Sequence, residues 1–219
     1  RLTLAGVRRA LAAGGDTRKD ILASALVFDI GGGSTEMILT RGGAVVSERS
    51  IPLGAVYLTE EYLLTDPPRK EEREALCSRI RRELGTWLRE GTGVPGGALP
   101  FSLLAGTAGT VTTLAAMDLE LRQYDPERIN GHVLTRESVD QMAERLGALS
   151  LAERRELPGL ERGREDIIFA GAVICREIME LCGCRELMVS DWGLREGIVL
   201  DTFEHLRAGT RGERPSGNA

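Results

Sequence analysis

Three short stretches carry the residue types of phosphate chemistry. In "ALVFDIGGGSTEMILT", residues 25–40, three glycines stand between Asp29 and Glu36, with apolar, strand-like sequence on both sides. If Ile30 and Thr35 flank a four-residue tip, Asp29 lies opposite Glu36 across a hairpin, and directly opposed residues share a face. Two carboxylates so placed repel. A hard cation such as Mg²⁺, which takes one or two carboxylates plus water and phosphate oxygens, is the natural compensation. Gly31, Gly32 and Gly33 let the backbone approach an anion and offer it N–H groups, with the hydroxyls of Ser34 and Thr35 as further donors. On spacing alone, a solvated tip with incidental acids is the competing reading.

The second stretch is "AGTAGTVTT", residues 105–113, where backbone amides opening a helix, assisted by Thr107 and Thr110, form an anion site. It lacks "GK[ST]" and so is no P-loop; a plain strand-to-helix turn is the alternative. The third, "VSDWGLREGI" at 189–198, puts Arg195 early on a helix, where its guanidinium can grip a phosphate with paired N–H donors. Asp191 either caps that helix or holds the arginine, unless the two are a solvated charge pair. Arg164 and Asp166 in "RGRED" read as a structural ion pair opening a buried helix. His132 in "NGHVL" reads as a loop residue.

The elements around these stretches alternate. "ILASALVFDI", "TEMILTR" and "AVVSERSI" make a three-strand meander with Gly turns. A helix started by Asp66 and two prolines follows, carrying Leu76, Ile80, Leu84, Trp87 and Leu88 on one stripe and ended by "VPGG" at 94–97. Next come a short strand and helix through "AGTAGTVTT", then a helix capped by Thr135. "IIFAGAVICREIMELCG" is apolar nearly all round and reads as a buried helix, and the last unit is strand, turn, helix. The expectation is an α/β domain with a five-stranded mixed sheet flanked by helices. Glycine turns at strand ends are where such sheets place ligands.

Composition narrows the function. The 219 residues are 42% hydrophobic and 28% charged, which is the balance of a globular protein. A net charge of −5 and 4% aromatic residues argue against nucleic-acid binding. No apolar run approaches the roughly 18 residues of a membrane span and no signal-peptide layout is present, so the reading is no membrane and a cytoplasmic location. The four cysteines are too few and uneven for a disulfide framework, and "CGC" at 182–184 has no second ligand pair for zinc. "RLTLAGVRRALAAGG" opens in mid-helix without a cap and reads as the continuation of a longer chain.

Taken together, "LVFDIGGGSTE", "LLAGTAGTVTTLAAMDLEL", "NGHVLT", "GLERGREDIIFAGAVI" and "VSDWGLREGIVLD" resemble the exopolyphosphatase and guanosine pentaphosphate phosphatase family, in its order, from residue 1 to about 205. That resemblance implies the actin-like ATPase superfamily, in which two ribonuclease-H-like domains close on a phosphate-bearing ligand. Residues 1–207 would be the second domain and 208–219 a flexible tail. Asp29 and Glu36 match the acidic residues of the catalytic and divalent-metal centre, and Gly31 to Ser34 the phosphate loop. Gly106 to Thr110, with Thr107 and Gly109, match a second loop facing the cleft. Arg195 and Glu196 match the "GLREG" signature, and His132, Arg164 and Asp166 fall on recurrent positions.

The family's N-terminal domain, with its "DxGSxS" loop and an "EEA" segment holding the catalytic base, is not represented in this chain. The implied reaction is hydrolysis of the terminal phosphoanhydride of polyphosphate or guanosine pentaphosphate, with Mg²⁺ or another divalent cation. The chain alone would be inactive, its partners being the substrate, the missing domain and, in the full-length protein, a second copy in a homodimer. An ATP-dependent kinase or ATPase of the same superfamily and a non-catalytic alarmone-binding module are the rival classes.

Overall fold

Residues 25–51 fold as the expected meander. The computed structural model describes residues 2–13, 22–91 and 101–212. In it β1 (Ala25–Ile30), β2 (Thr35–Arg41) and β3 (Ala44–Ile51) are successively antiparallel. Gly42 and Gly43 sit at φ 57° and 76°, the left-handed backbone that a two-residue hairpin requires. The tip between β1 and β2 is closed by the Gly31 N–H donating to the Ser34 carbonyl at 2.9 Å.

On its other edge β1 pairs parallel with β4 (Leu103–Thr107), which pairs parallel with β6 (Glu186–Val189). A short strand, β5 (Val133–Thr135), runs antiparallel to β6 at the edge, giving the order β3-β2-β1-β4-β6-β5. Among the described residues the sheet therefore has six strands, not five. β5 escapes sequence patterning because three residues are too few to show strand alternation.

The helices among the described residues are α1 (Leu2–Ala13), α2 (Ala55–Tyr62), α3 (Lys70–Gly91), α4 (Ala108–Asp118), α5 (Pro126–Ile129), α6 (Arg136–Ala148), α7 (Leu151–Arg154), α8 (Ile168–Leu181) and α9 (Leu194–Gly212). α9 thus runs five residues into the stretch expected as a tail, and 213–219 and "VPGG" lie outside the described residues. No local signal marks α2, because its start is tertiary. Gly54 supplies no side-chain cap, and the amides of Ala55, Val56 and Tyr57 donate instead to the Gly31 and Gly32 carbonyls at 3.0 Å. Asp66 does not start α3. It accepts the Leu151 N–H, at 2.8 Å to Oδ2, at the head of α7, while Glu72 accepts the Arg69 N–H at 2.8 Å. Thr135 does cap α6, accepting from the Ser138 N–H at 3.0 Å.

The sheet buries both faces. Leu26, Phe28, Ile30, Met37 and Leu39 point into the larger core with Leu58 of α2, Leu76, Ile80, Leu84 and Trp87 of α3, and nearly every residue of α8. The predicted α3 stripe and buried α8 are both present. Val27, Ile38 and Ala105 point the other way, onto Leu4, Val7 and Leu11 of α1. α9 lies against α1 so closely that a Cβ on Gly197 would stand 1.9 Å from the Leu2 carbonyl oxygen. Strand alternation then puts Asp29 and Glu36 on the α1 side of the sheet. The parallel strands β1, β4 and β6 all end at the same edge, and their turns meet there.

Candidate active site

Asp29 and Glu36 are direct partners in the β1–β2 register, as the spacing predicted. Glu36 is held from two sides: its Oε1 accepts from Ser34 Oγ at 2.6 Å and from Ser50 Oγ at 2.8 Å. Ser50 faces Glu36 across the β2–β3 ladder, a contact readable only once that register is known. Asp29 is half-buried. Burial, and then the Glu36 charge beside it, push its carboxyl up to about 6. Among the described residues no cation pairs with its ionised form.

Asp29 opens onto a cleft of about 500 Å³ at the ends of β1, β4 and β6. The β4–α4 junction forms one wall with Thr107, Ala108 and Gly109. Ala108 takes φ +70°, left-handed backbone that costs a residue with a Cβ about 1 kcal/mol or more and occurs preferentially at ligand sites. Arg164, from the loop before α8, lies on this junction: a Cβ on Gly109 would stand 2.2 Å from its Nη2. Glu161 accepts from the Arg164 Nε. The expected pair of Arg164 with Asp166 is therefore not formed; Asp166 is exposed and outside the cleft lining, and Glu161 is the partner because it precedes the turn that brings Arg164 inward.

The adjoining β6–α9 turn forms a second wall. Arg195 lines the cleft and has no hydrogen-bonding or charged partner among the described residues. Glu196 also lines it, and its role is structural, since Oε2 accepts the Gly193 N–H at 2.8 Å and so caps α9. Asp191 neither caps α9 nor holds Arg195. It accepts from the Tyr124 hydroxyl, and its backbone N–H donates to Asn130 Oδ1 at 3.3 Å. Tyr124, Glu161 and Thr112 are cleft residues not predicted as site residues: Tyr124 sits in a connecting loop outside every motif, while Glu161 and Thr112 lie within "GLERGREDIIFAGAVI" and "AGTAGTVTT" with nothing local to single them out.

Other predicted residues lie elsewhere. Gly31, Gly32, Gly33 and Ser34 flank the Asp29–Glu36 pair but do not line the cleft. The amides of Gly32, Gly33 and Ser34 have no hydrogen-bond partner among the described residues. Thr35 is fully buried and donates to the Leu53 carbonyl at 2.5 Å. Thr107 Oγ1 likewise donates inward, to the Trp192 carbonyl at 3.1 Å. Gly106 is a packing glycine, since a Cβ there would meet the Phe28 ring at 2.9 Å. Thr110 is buried against Gly171 of α8. His132 Nε2 lies 2.7 Å from Asp118 Oδ2 at the far end of α4.

No cluster of three His, Cys, Asp or Glu side chains placed for a metal occurs among the described residues, and the four cysteines are free. The two opposed carboxylates still suit Mg²⁺, which commonly takes one or two carboxylates and completes its shell with water and phosphate oxygen. No helix among the described residues is long and apolar enough to cross a membrane.

The chain as a whole is similar to known proteins. Exopolyphosphatase 2 of Mycobacterium tuberculosis is 32% identical over 80% of this chain and 54% of its own length. The bifunctional 3-dehydroquinate synthase/phosphatase of Fusobacterium nucleatum is 30% identical over 85% of this chain and 27% of its own. The crystal structure of the Aquifex aeolicus Ppx/GppA family member matches with a TM-score of 0.77 and 30% identity, over 93% of this chain and 63% of that one. The chain spans about half the length of the mycobacterial relative. Its sheet and helices have the ribonuclease-H-like fold of the actin-like ATPases. With residues 1–206 matching throughout, the chain belongs to the Ppx/GppA phosphatase family.

Proposed function

We propose that this chain is one wall of a phosphatase site that hydrolyses the terminal phosphoanhydride of inorganic polyphosphate or guanosine pentaphosphate. The observation that carries this reading is Asp29, opposed by Glu36, opening onto the same cleft as Arg164 and the unpartnered Arg195. Two acids for a cation and two guanidiniums for phosphate oxygens are the charge pattern of a bound phosphate chain with its metal. Asp29 and Glu36 would hold a divalent cation, which would supply charge neutralisation on the phosphate oxygens.

The chain's own groups do the positioning. Arg195 and Arg164 grip the non-bridging oxygens, and the amides of Gly32, Gly33 and Ser34 offer further donors from the hairpin side. Ser34 and Ser50 fix the Glu36 carboxylate, which keeps it from swinging away from Asp29. In the reaction, water adds to the terminal phosphorus and the bridging P–O bond breaks. Orthophosphate leaves, and the proton of the attacking water passes to a carboxylate that we place in a preceding domain. On this reading the 219-residue chain binds phosphate chains but does not turn them over.

The test is phosphate release by the full-length protein from polyphosphate and from guanosine pentaphosphate. Asp29→Asn should lower kcat by about 100-fold or more. Unchanged turnover in that variant, or robust metal-dependent release by the isolated chain, contradicts the assignment.

A further inference from the structure

Tyr124 is out of place in a cleft built for phosphate alone. The lining is otherwise charged, hydroxyl-bearing or small, apart from Leu194, and Tyr124 is its one aromatic residue among the described ones. It stands 54% exposed, in the loop between α4 and α5. The ring is tethered at its tip, because its hydroxyl donates to Asp191 on the β6–α9 turn. Burial, and then the bond to Asp191, push the phenol well above its usual range, so it stays a neutral donor.

No cation in the cleft uses the ring. Among the described residues the cation–ring contact is Arg154 over Phe169, 5.8 Å from the centroid and outside the cleft. A linear polyphosphate gains nothing from the ring either: its surface is oxygen throughout, and the face of an aromatic ring carries partial negative charge. A nucleobase is the ligand part that does, since every base has a π-face and stacks on tyrosine.

We propose that Tyr124 is the specificity-determining residue of this cleft, its ring a stacking surface for the base of a nucleoside polyphosphate whose phosphates lie toward Arg164 and Arg195. The proposal rests on the phosphate reading of the cleft. Asp191 is then a positioning residue that holds the ring across the opening and leaves its face to the ligand. The arrangement makes a nucleoside polyphosphate a better ligand than a bare chain of the same phosphate count.

The comparison that tests it is calorimetric titration of the 219-residue chain with guanosine triphosphate, adenosine triphosphate and tripolyphosphate, all in excess Mg²⁺. Tyr124→Ala should weaken both nucleotides by about tenfold, the worth of one base–aromatic stack, and leave tripolyphosphate within about twofold. Tyr124→Phe, which keeps the ring and loses the bond to Asp191, should weaken the nucleotides less than Tyr124→Ala does, by a few-fold. An equal loss for all three ligands, or no loss for the nucleotides, overturns the role of Tyr124 while leaving the phosphate site intact. Failure of tripolyphosphate to bind the unsubstituted chain overturns the phosphate reading itself, and this proposal with it. An unchanged melting temperature for Tyr124→Ala, expected of so exposed a side chain, shows that any loss is not unfolding.

Discussion

Two acids inside this molecule are treated in opposite ways. Glu177, on α8, is 1% exposed and fully compensated: Arg81 grips it at 2.6 and 3.0 Å, and Arg176 donates to it at 3.2 Å. Asp29 is half-buried and meets another carboxylate instead of a cation. A fold needs its buried charges paired, because an unpaired one costs several kcal/mol. A carboxylate left uncompensated at the end of a central strand marks a place where the charge is met by something outside the chain.

The largest effect should come from removing the compensated acid. Glu177→Ala leaves Arg81 and Arg176 facing each other across the α3–α8 contact. It should lower stability by about 2–3 kcal/mol, somewhat under the usual figure for a buried pair because Arg81 keeps contact with water. Denaturant unfolding measures it.

Asp29→Asn should do the reverse. Folded Asp29 holds its proton to about 6, against 3.8 when unfolded. The folded state therefore binds the extra proton between those values, and stability falls as pH rises through that window. Removing the charge should raise stability by about 1–2 kcal/mol above pH 7 and by nothing near pH 3. Melting curves of both proteins across pH would show the two converging on the acid side; a constant gap would mean that the Asp29 charge is not the source of the difference.

The glycines repeat the contrast on a smaller scale. Gly106→Ala drives a methyl into the Phe28 ring and should cost about 1–2 kcal/mol. Gly33 is neither left-handed nor crowded, since a Cβ there meets nothing within 4 Å. Gly33→Ala should change stability by less than about 0.5 kcal/mol yet weaken tripolyphosphate binding, because the methyl occupies the space from which its amide is offered. A loss of stability without a loss of binding would make that glycine structural.

What the sequence disclosed follows from how local each signal is. The meander and the Asp29–Glu36 register were legible because a four-residue tip and strand alternation fix both. α2 and β5 were not, because the first is capped by carbonyls from a distant turn and the second is too short to have a period. Within the site, Arg195 and Gly109 could be named from strand-end turns. Thr110 could not be told from Thr112, as helix residues two apart point to different sides and only packing against Gly171 shows which side is core. Tyr124 sits in a loop with no motif, and Glu161 in a motif where only the fold shows it as the partner of Arg164, so only the folded chain brings them to the cleft.

The claim that Asp29 is uncompensated because a metal-borne phosphate chain completes it is tested most directly by titrating tripolyphosphate into the chain with and without Mg²⁺, from pH 5 to 8. Binding should depend on Mg²⁺ and strengthen as pH rises through about 6, and Asp29→Asn should lose both the Mg²⁺ and the pH dependence. Binding by Asp29→Asn that matches the unsubstituted chain in strength, metal dependence and pH profile would contradict it.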